Sequence, residues 1–263
     1  MLTVSGLTVC FPVPGGAITP VRDFSLALRR GEIVGLVGPS GCGKTVFCTS
    51  LLGMVERPGY IKSGIIRYVS GETESAEGKE PPYLDLTSLS EKEWRRIRGK
   101  EISMIFQNPF QALNHSRTIG AQFIEAITAH RPNTSRRECM EIALSMLAGT
   151  MLKDPRRIMK SYPFELSGGM CQRVMIAMAL VHSPALLIAD EPTTALDKNN
   201  EEQILRLFTG IRETYDTGII FVSHDEKIIA AIADRKVSMN QAPICHEKPE
   251  GLPRGLGMHR GGW

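Results

Sequence analysis

Three apolar runs of five residues, Ile33–Val37, Ala185–Ala189 and Gly218–Val222, and a fourth interrupted only by Ser103, Ile102–Phe106, organise the chain. Short apolar runs of this kind predict strands buried on both faces. Upstream, residues 2–37 alternate apolar stretches with turn residues (Gly6, Pro12, Pro14, Gly15, Gly16, Gly31), which predicts a series of short β-strands. A helix from Lys44 to about Met54 follows the first run. Ser90-Glu91-Lys92-Glu93 opens another with a capping-box start, ending near Gly99. From about Pro109 to Tyr162 the pattern turns helical, with amphipathic segments around 118–130 and 135–148, and Cys171 to Val181 is apolar on nearly every side, as in a helix enclosed by core. Residues 70–83, with Glu72, Glu74, Glu77, Gly78, Pro81 and Pro82, read as an exposed loop. Residues 241–263 carry five glycines and three prolines and are expected to form a poorly ordered tail. The chain has no internal repeat.

Composition narrows the class only a little. With 42% hydrophobic and 22% charged residues, the 263-residue chain is globular, and 31 basic against 28 acidic residues leave a net charge of +3, too balanced to argue for nucleic-acid binding. The basic run Arg95-Arg96-Ile97-Arg98 reads as a solvated helix face. Six cysteines (Cys10, Cys42, Cys48, Cys139, Cys171, Cys245) are scattered without a Cys-x-x-Cys pair, which fits a reducing compartment rather than a disulfide or zinc framework. The first residues lack the pattern of a signal peptide, and no run of about 18 apolar residues occurs. Work at a membrane would require another protein to hold this one there.

The chemistry lies at the ends of the apolar runs, where ligands gather in parallel α/β sheets. Gly38-Pro39-Ser40-Gly41-Cys42-Gly43-Lys44-Thr45 follows the first run and spells a phosphate-binding loop. Its glycines let backbone N–H groups converge on phosphate oxygens, Lys44 reaches the β- and γ-phosphates, and the Thr45 hydroxyl ligates Mg²⁺. Asp190-Glu191 follows the run Ala185–Ala189. An acidic pair there is commonly a solvated turn, but behind a phosphate loop Asp190 reads as the Mg²⁺ holder and Glu191 as the group that orients or deprotonates water. Gln107 and His224 each sit just past a predicted strand, where Gln107 can ligate Mg²⁺ or position water and His224 can donate to a γ-phosphate. Ser167-Gly168-Gly169 precedes a helix and is locally an N-cap turn. A helix start with Ser and bare glycine amides is also an anion site, and a chain with one complete phosphate cradle would use a second one best on another subunit's nucleotide.

Taken together, the set resembles the ATP-binding subunits of ABC transporters over roughly residues 2–240. The Walker A loop (38–45), Q-loop (Gln107), signature (166–170), Walker B segment (185–191), D-loop (Ala195-Leu196-Asp197) and H-loop (His224) occur in that family's order. Three strings, LSEKEWRRIRGKEISMIFQNP (89–109), YPFELSGGMCQRVMIAMAL (162–180) and ADEPTTALD (189–197), are similar to the dipeptide/oligopeptide/nickel importer branch, in which Met170 is usual. The resemblance implies an α/β P-loop NTPase (RecA-like) core, with an N-terminal antiparallel β subdomain and an inserted helical subdomain of about 109–172. It implies ATP and Mg²⁺ as cofactors. Two ATPase subunits, identical or different, would pair head to tail so that Ser167, Gly168, Gly169, Met170 and Asp197 meet the partner's nucleotide. By the same resemblance, two membrane permease subunits and an extracytoplasmic solute-binding protein would complete the assembly, with this chain at the cytoplasmic face of the inner (plasma) membrane. Phe11 is the candidate for stacking on adenine.

Departures from the branch are Cys171, where a polar or basic residue is frequent and could tune the anion site, and an ending after about Met239 that lacks the usual strand and hairpin. The alternative is a soluble ABC ATPase acting on DNA or ribosomes. Lys44 and Asp190 lie too close in sequence for an inserted coiled coil, and the chain carries one cassette, not two. Nothing in these residues chooses among peptides, nickel and metal chelates, and the lack of a long tail leans slightly toward nickel or a metal chelate.

Overall fold

The four apolar runs become neighbours in one sheet. In the computed structural model, which describes residues 1–70, 82–194 and 197–240, the elements run β1 (Leu2–Val13), β2 (Gly16–Leu28), β3 (Ile33–Val37), α1 (Lys44–Ser50), β4 (Tyr60–Tyr68), β5 (Leu84–Asp85), α2 (Glu91–Ile97), β6 (Ile102–Ile105), α3 (Pro109–Ala112), α4 (Ile119–His130), α5 (Arg136–Gly149), α6 (Pro155–Lys160), α7 (Gly168–Ala179), β7 (Leu186–Asp190), α8 (Lys198–Tyr215), β8 (Gly218–Val222), α9 (Glu226–Ile232) and β9 (Arg235–Ser238). Strands β6-β7-β8-β3-β9 form a sheet whose paired strands all run parallel, and β2-β1-β4-β5 form a separate antiparallel one.

Period-2 geometry explains the unbroken apolar runs. Along β3, β7 and β8, the residues Val34, Leu36, Leu186, Ile188, Ile220 and Val222 face one core cluster, shared with the antiparallel sheet, α1 and α2. Their alternates Ile33, Val37, Leu187, Ala189, Ile219 and Phe221 face a second, against α8 and α9. With both sides covered, no position in these strands can be polar without a buried partner.

Helices α3 to α7 gather around a third cluster that includes Ile119, Phe123, Ile127, Ala143 and Leu147. Helix α7 belongs to two clusters at once. Cys171, Val174 and Ala177 face the helical group, while Met175, Ile176 and Leu180 face the sheet. This double burial accounts for its apolar character all round. The capping box at Ser90 is present, its N–H donating to the Glu93 carboxylate at 2.8 Å.

Several expectations need correction. Residues 2–28 form two long strands instead of several short ones, because Gly6, at φ +59, sits where the β1 pairing shifts register, so it bends a strand without ending it. The helix after the phosphate loop stops at Ser50, and Gly53 turns at φ +60 beneath the Trp94 ring, which leaves no room for a Cβ. Of the basic run, Arg95 and Arg96 are exposed, whereas the Arg98 guanidinium donates to the carbonyls of Leu52 and Gly53. Most of the predicted acidic loop, and the tail from 241 with Cys245, lie outside the described residues.

Truncating Phe123, a fully buried ring of the helical cluster, to alanine is expected to lower unfolding free energy by about 3–5 kcal/mol. In the same urea titrations, Phe164→Ala, at a position 66% exposed, should change it by less than about 1 kcal/mol.

Candidate functional site

Parallel strands deliver their following loops to one edge of the sheet. The loop after β3 is 38–45, β6 ends before Gln107, β7 ends on Asp190, and β8 is followed by Ser223 and His224. Because β6, β7, β8 and β3 are neighbours in that order, all four arrive side by side.

The phosphate loop has the geometry its sequence calls for. Gly43 caps α1 at φ +102, and a Cβ there would lie 2.2 Å from the Pro20 carbonyl oxygen of β2. Gly41, at φ +77, has nothing within 4 Å of its would-be Cβ, and with Pro39 and Ser40 it forms the exposed tip. Gly38 and Cys42 anchor the base, the thiol buried beneath the glycine. Lys44 is only 6% exposed, and its ammonium donates to the carbonyls of Gly38 (2.8 Å) and Pro39 (3.1 Å), 3.8 Å from the Glu191 carboxylate. A buried ammonium held by its own loop, beside helix N–H groups that have no intrahelical acceptors, is arranged for polyanionic oxygen.

Thr45 Oγ1 donates to Asp190 Oδ2 at 2.7 Å. The other oxygen, Asp190 Oδ1, is buried without a hydrogen-bond partner, an arrangement that costs about 1–3 kcal/mol unless something meets it. Burial raises the Asp190 carboxyl above its ordinary pKa; the Thr45 hydroxyl opposes this, the neighbouring Glu191 charge adds to it, and Lys44 opposes it. Among the described residues no cluster of three His, Cys, Asp or Glu forms a closed metal cage. One carboxylate with an unmet oxygen plus one hydroxyl, beside a phosphate cradle, fits Mg²⁺, which keeps its waters and shares its ligands with phosphate.

Glu191 turns sharply out of β7 at φ +47, its N–H donating to Val222 O at 3.1 Å. Its Oε2 faces three groups: Gln107 Nε2 at 3.1 Å, Thr194 Oγ1 at 2.9 Å and the His224 Nδ1 position at 3.3 Å. With a carboxylate opposite, the His224 contact is a hydrogen bond when Nδ1 carries the proton. Thr194 went unnoticed in the sequence. The signal available was its place three residues after Glu191, the spacing of a turn whose hydroxyl folds back on its own start.

The remaining predicted residues form a second group. Ser167 caps α7, its Oγ accepting from Met170 N at 3.3 Å, and Ser167 is exposed while Gly168, Gly169 and Met170 are half-buried. Among the described residues no hydrogen bond or ion pair joins this turn to Lys44 or Glu191. It lies beside the start of α8, where Asp197 caps the helix by accepting from Asn200 N at 3.0 Å, and a Cβ on Gly169 would sit 3.6 Å from Asn200. Ala195 and Leu196 of the same loop lie outside the described residues. Cys171 cannot tune an anion site at this turn. It is fully buried in the helical cluster, its thiol 3.4 Å from Pro163 O and pushed up to about 11 by burial. Phe11 is half-buried on β1, with its ring packed against Gly59.

A family model described as ABC transporter matches residues 21–194. The chain is 42% identical to a putative peptide import ATP-binding protein of Brucella melitensis, over 95% of this chain and 71% of that protein. It is 42% identical to the dipeptide transport ATP-binding protein DppD of Bacillus subtilis, over 91% and 68%, and 40% identical to the oligopeptide transport ATP-binding protein OppD of Escherichia coli, over 91% and 66%. Among solved structures, the dimeric structure of MJ0796, a bacterial ABC transporter cassette, superposes with a TM-score of 0.77 at 26% identity, covering 92% of this chain and 95% of that one. A post-hydrolysis dimer of the same cassette bound to ADP and Pi gives 0.75 at 26% identity, over 96% and 100%. With the phosphate loop, the acidic strand end and the glycine turn in this arrangement, the chain belongs to the ABC transporter family of ATP-binding proteins.

Proposed function

We propose that this chain is the ATP-hydrolysing subunit of an importer, and that residues 1–240 form its single ATPase domain with a helical lobe at about 109–172. The observation that carries the proposal is the convergence of Lys44, Thr45, Asp190, Glu191, Gln107 and His224 at one sheet edge, while Ser167, Gly168 and Gly169 open elsewhere. ATP is the substrate. The N–H groups of residues 41–45 cradle its phosphates, and Lys44 exchanges the carbonyls of Gly38 and Pro39 for phosphate oxygens. Thr45 and Asp190, with Gln107 alongside, would hold Mg²⁺, which when bound neutralises charge on the β- and γ-oxygens. Glu191 orients the attacking water and takes its proton, and Gln107, Thr194 and His224 hold that carboxylate in place. His224 would donate to the γ-phosphate. Phe11 is retained as the adenine-stacking candidate.

The exposed Ser167 turn serves a second subunit, identical or related, in a head-to-tail dimer. The dimers formed by the structurally similar cassette MJ0796 support this arrangement. No helix among the described residues is long and apolar enough to cross a membrane, so two permease subunits would hold the protein peripherally at the cytoplasmic face of the plasma membrane. A groove of 390 Å³ between the β6 edge and the helical lobe, lined by Met54, Phe106, Ala126, Ala129 and Met178 among others, suits an apolar permease segment. An extracytoplasmic binding protein would deliver solute. The relatives named for peptide, dipeptide and oligopeptide transport favour peptides over nickel or metal chelates, and favour import over DNA- or ribosome-directed work.

Glu191→Gln should lower the hydrolysis rate at least 10²-fold while ATP binding persists and a closed dimer accumulates in size-exclusion runs; a wild-type rate would remove Glu191 from the role of base. Ser167→Arg is expected to abolish hydrolysis with monomer ATP affinity unchanged in equilibrium titration, and lost affinity would mean the turn acts on its own subunit's nucleotide. Ala129→Trp should block co-purification of the permease subunits while the isolated subunit hydrolyses ATP normally; retained co-purification would move the docking surface elsewhere.

A further inference from the structure

The glycine turn is braced by polar contacts that the catalytic cluster does not use. Arg173 lies in the second turn of α7, only 5% exposed. Its Nη1 donates to Thr150 O at 3.1 Å, and its Nη2 donates to Gln203 Oε1 at 2.6 Å and Asn200 Oδ1 at 3.3 Å. Asn200 then passes the contact on, with Nδ2 donating to Asp197 Oδ2 at 2.7 Å and its backbone N–H donating to Asp197 Oδ1 at 3.0 Å.

All three acceptors on the buried guanidinium are neutral oxygens, and among the described residues no carboxylate pairs with it directly. Burial accordingly pushes Arg173 down from its ordinary pKa. The nearby negative charge, Asp197, lies on the far side of the Asn200 amide. That amide is oriented by both neighbours, its oxygen toward the cation and its nitrogen toward the anion. Aspartate at 200 would keep the contact to Arg173 but lose the donor and set a like charge on Asp197. Alanine would remove both links.

Two further facts give the relay its reach. A Cβ on Gly169 would lie in ordinary contact with Asn200, so the amide is packed over the glycine turn itself. Asp197 also stands on the same connecting segment, between β7 and α8, as Glu191. We propose that Arg173 and Asn200 are positioning residues for hydrolysis, holding Asp197 and the Ser167-Gly168-Gly169 turn as one rigid unit; this rests on the ATPase reading above. The turn and Asp197 then meet a partner's nucleotide as one unit, at a separation set by the Asn200 amide.

The test compares the full-length wild-type chain with Asn200→Asp and Asn200→Ala. Asn200→Asp exchanges the donor to Asp197 for an ion pair with Arg173, so a merely structural role predicts a wild-type rate at temperatures where the variant is folded. The positioning role predicts, at those temperatures, the same ATP affinity, with kcat reduced on the order of tenfold and a flattened dependence of rate on ATP concentration. A wild-type rate in Asn200→Asp overturns the proposal. In Asn200→Ala, the Asp197 carboxyl, which in the wild type is held below its ordinary pKa by the backbone and side-chain donors of Asn200, should titrate higher by carbon-13 NMR. An unchanged titration overturns the relay whether or not the chain hydrolyses ATP. A wild-type chain without hydrolysis, but with Asp197 responding to the substitution, would sink the ATPase reading and with it the positioning role, leaving only the relay.

Discussion

The hydrogen bond from Thr45 to Asp190 is the contact on which the site depends. It joins the helix after β3 to the end of β7, two strands that are not neighbours, because β8 lies between them. It therefore spans the carboxyl edge of the sheet and sets the separation of the phosphate loop from the acidic pair. The bond has a cost. Asp190 is carried into the core at 2% exposure with its second oxygen unmet, and such a carboxylate is tolerated where a cation or substrate is to meet it. The sheet withstands this because β3, β7 and β8 are packed with apolar side chains on both faces.

That two-sided packing is also why much of the core was legible in the sequence. A run such as Gly218–Val222 has no polar position to blur it, and the structure reproduces its limits. The amphipathic helices α4 and α5 and the Ser90 capping box were equally plain. Where burial is one-sided or partial the pattern weakens. Strand β4 is exposed over much of its length, so its alternation says little. Helix α8 does carry a stripe at Ile204, Leu207, Phe208 and Ile211, but in a segment otherwise polar enough to pass for a connection. For the site, the phosphate loop and Asp190-Glu191 announce themselves by local spacing. The grouping of Gln107 and His224 around one carboxylate oxygen, and the path from Arg173 to Asp197, depend on contacts between distant segments that no local pattern encodes.

Helix α7 links the two regions. One of its faces is part of the helical cluster and another is part of the sheet's second core, so the Ser167 turn at its start cannot shift without straining both. Arg173 adds a polar tie from the same helix to the end of α5 and to the start of α8. The turn therefore stands on rigid supports, which suits the proposed role of meeting a partner's phosphate in one orientation.

Strand β2 is the outer strand of the antiparallel sheet, thirteen residues long, and among the described residues no strand pairs with its other edge. A strand of that length invites a second chain to add itself by backbone hydrogen bonding. Pro20 has no N–H to offer, Asp23 bends the strand at φ +45, and Arg22 and Asp23 place charge on the rim. These features discourage runaway edge-to-edge stacking into fibres. In the head-to-tail pairing proposed above, with an identical or a related subunit, they leave the glycine-turn face open to the partner and close off the ribbon edge.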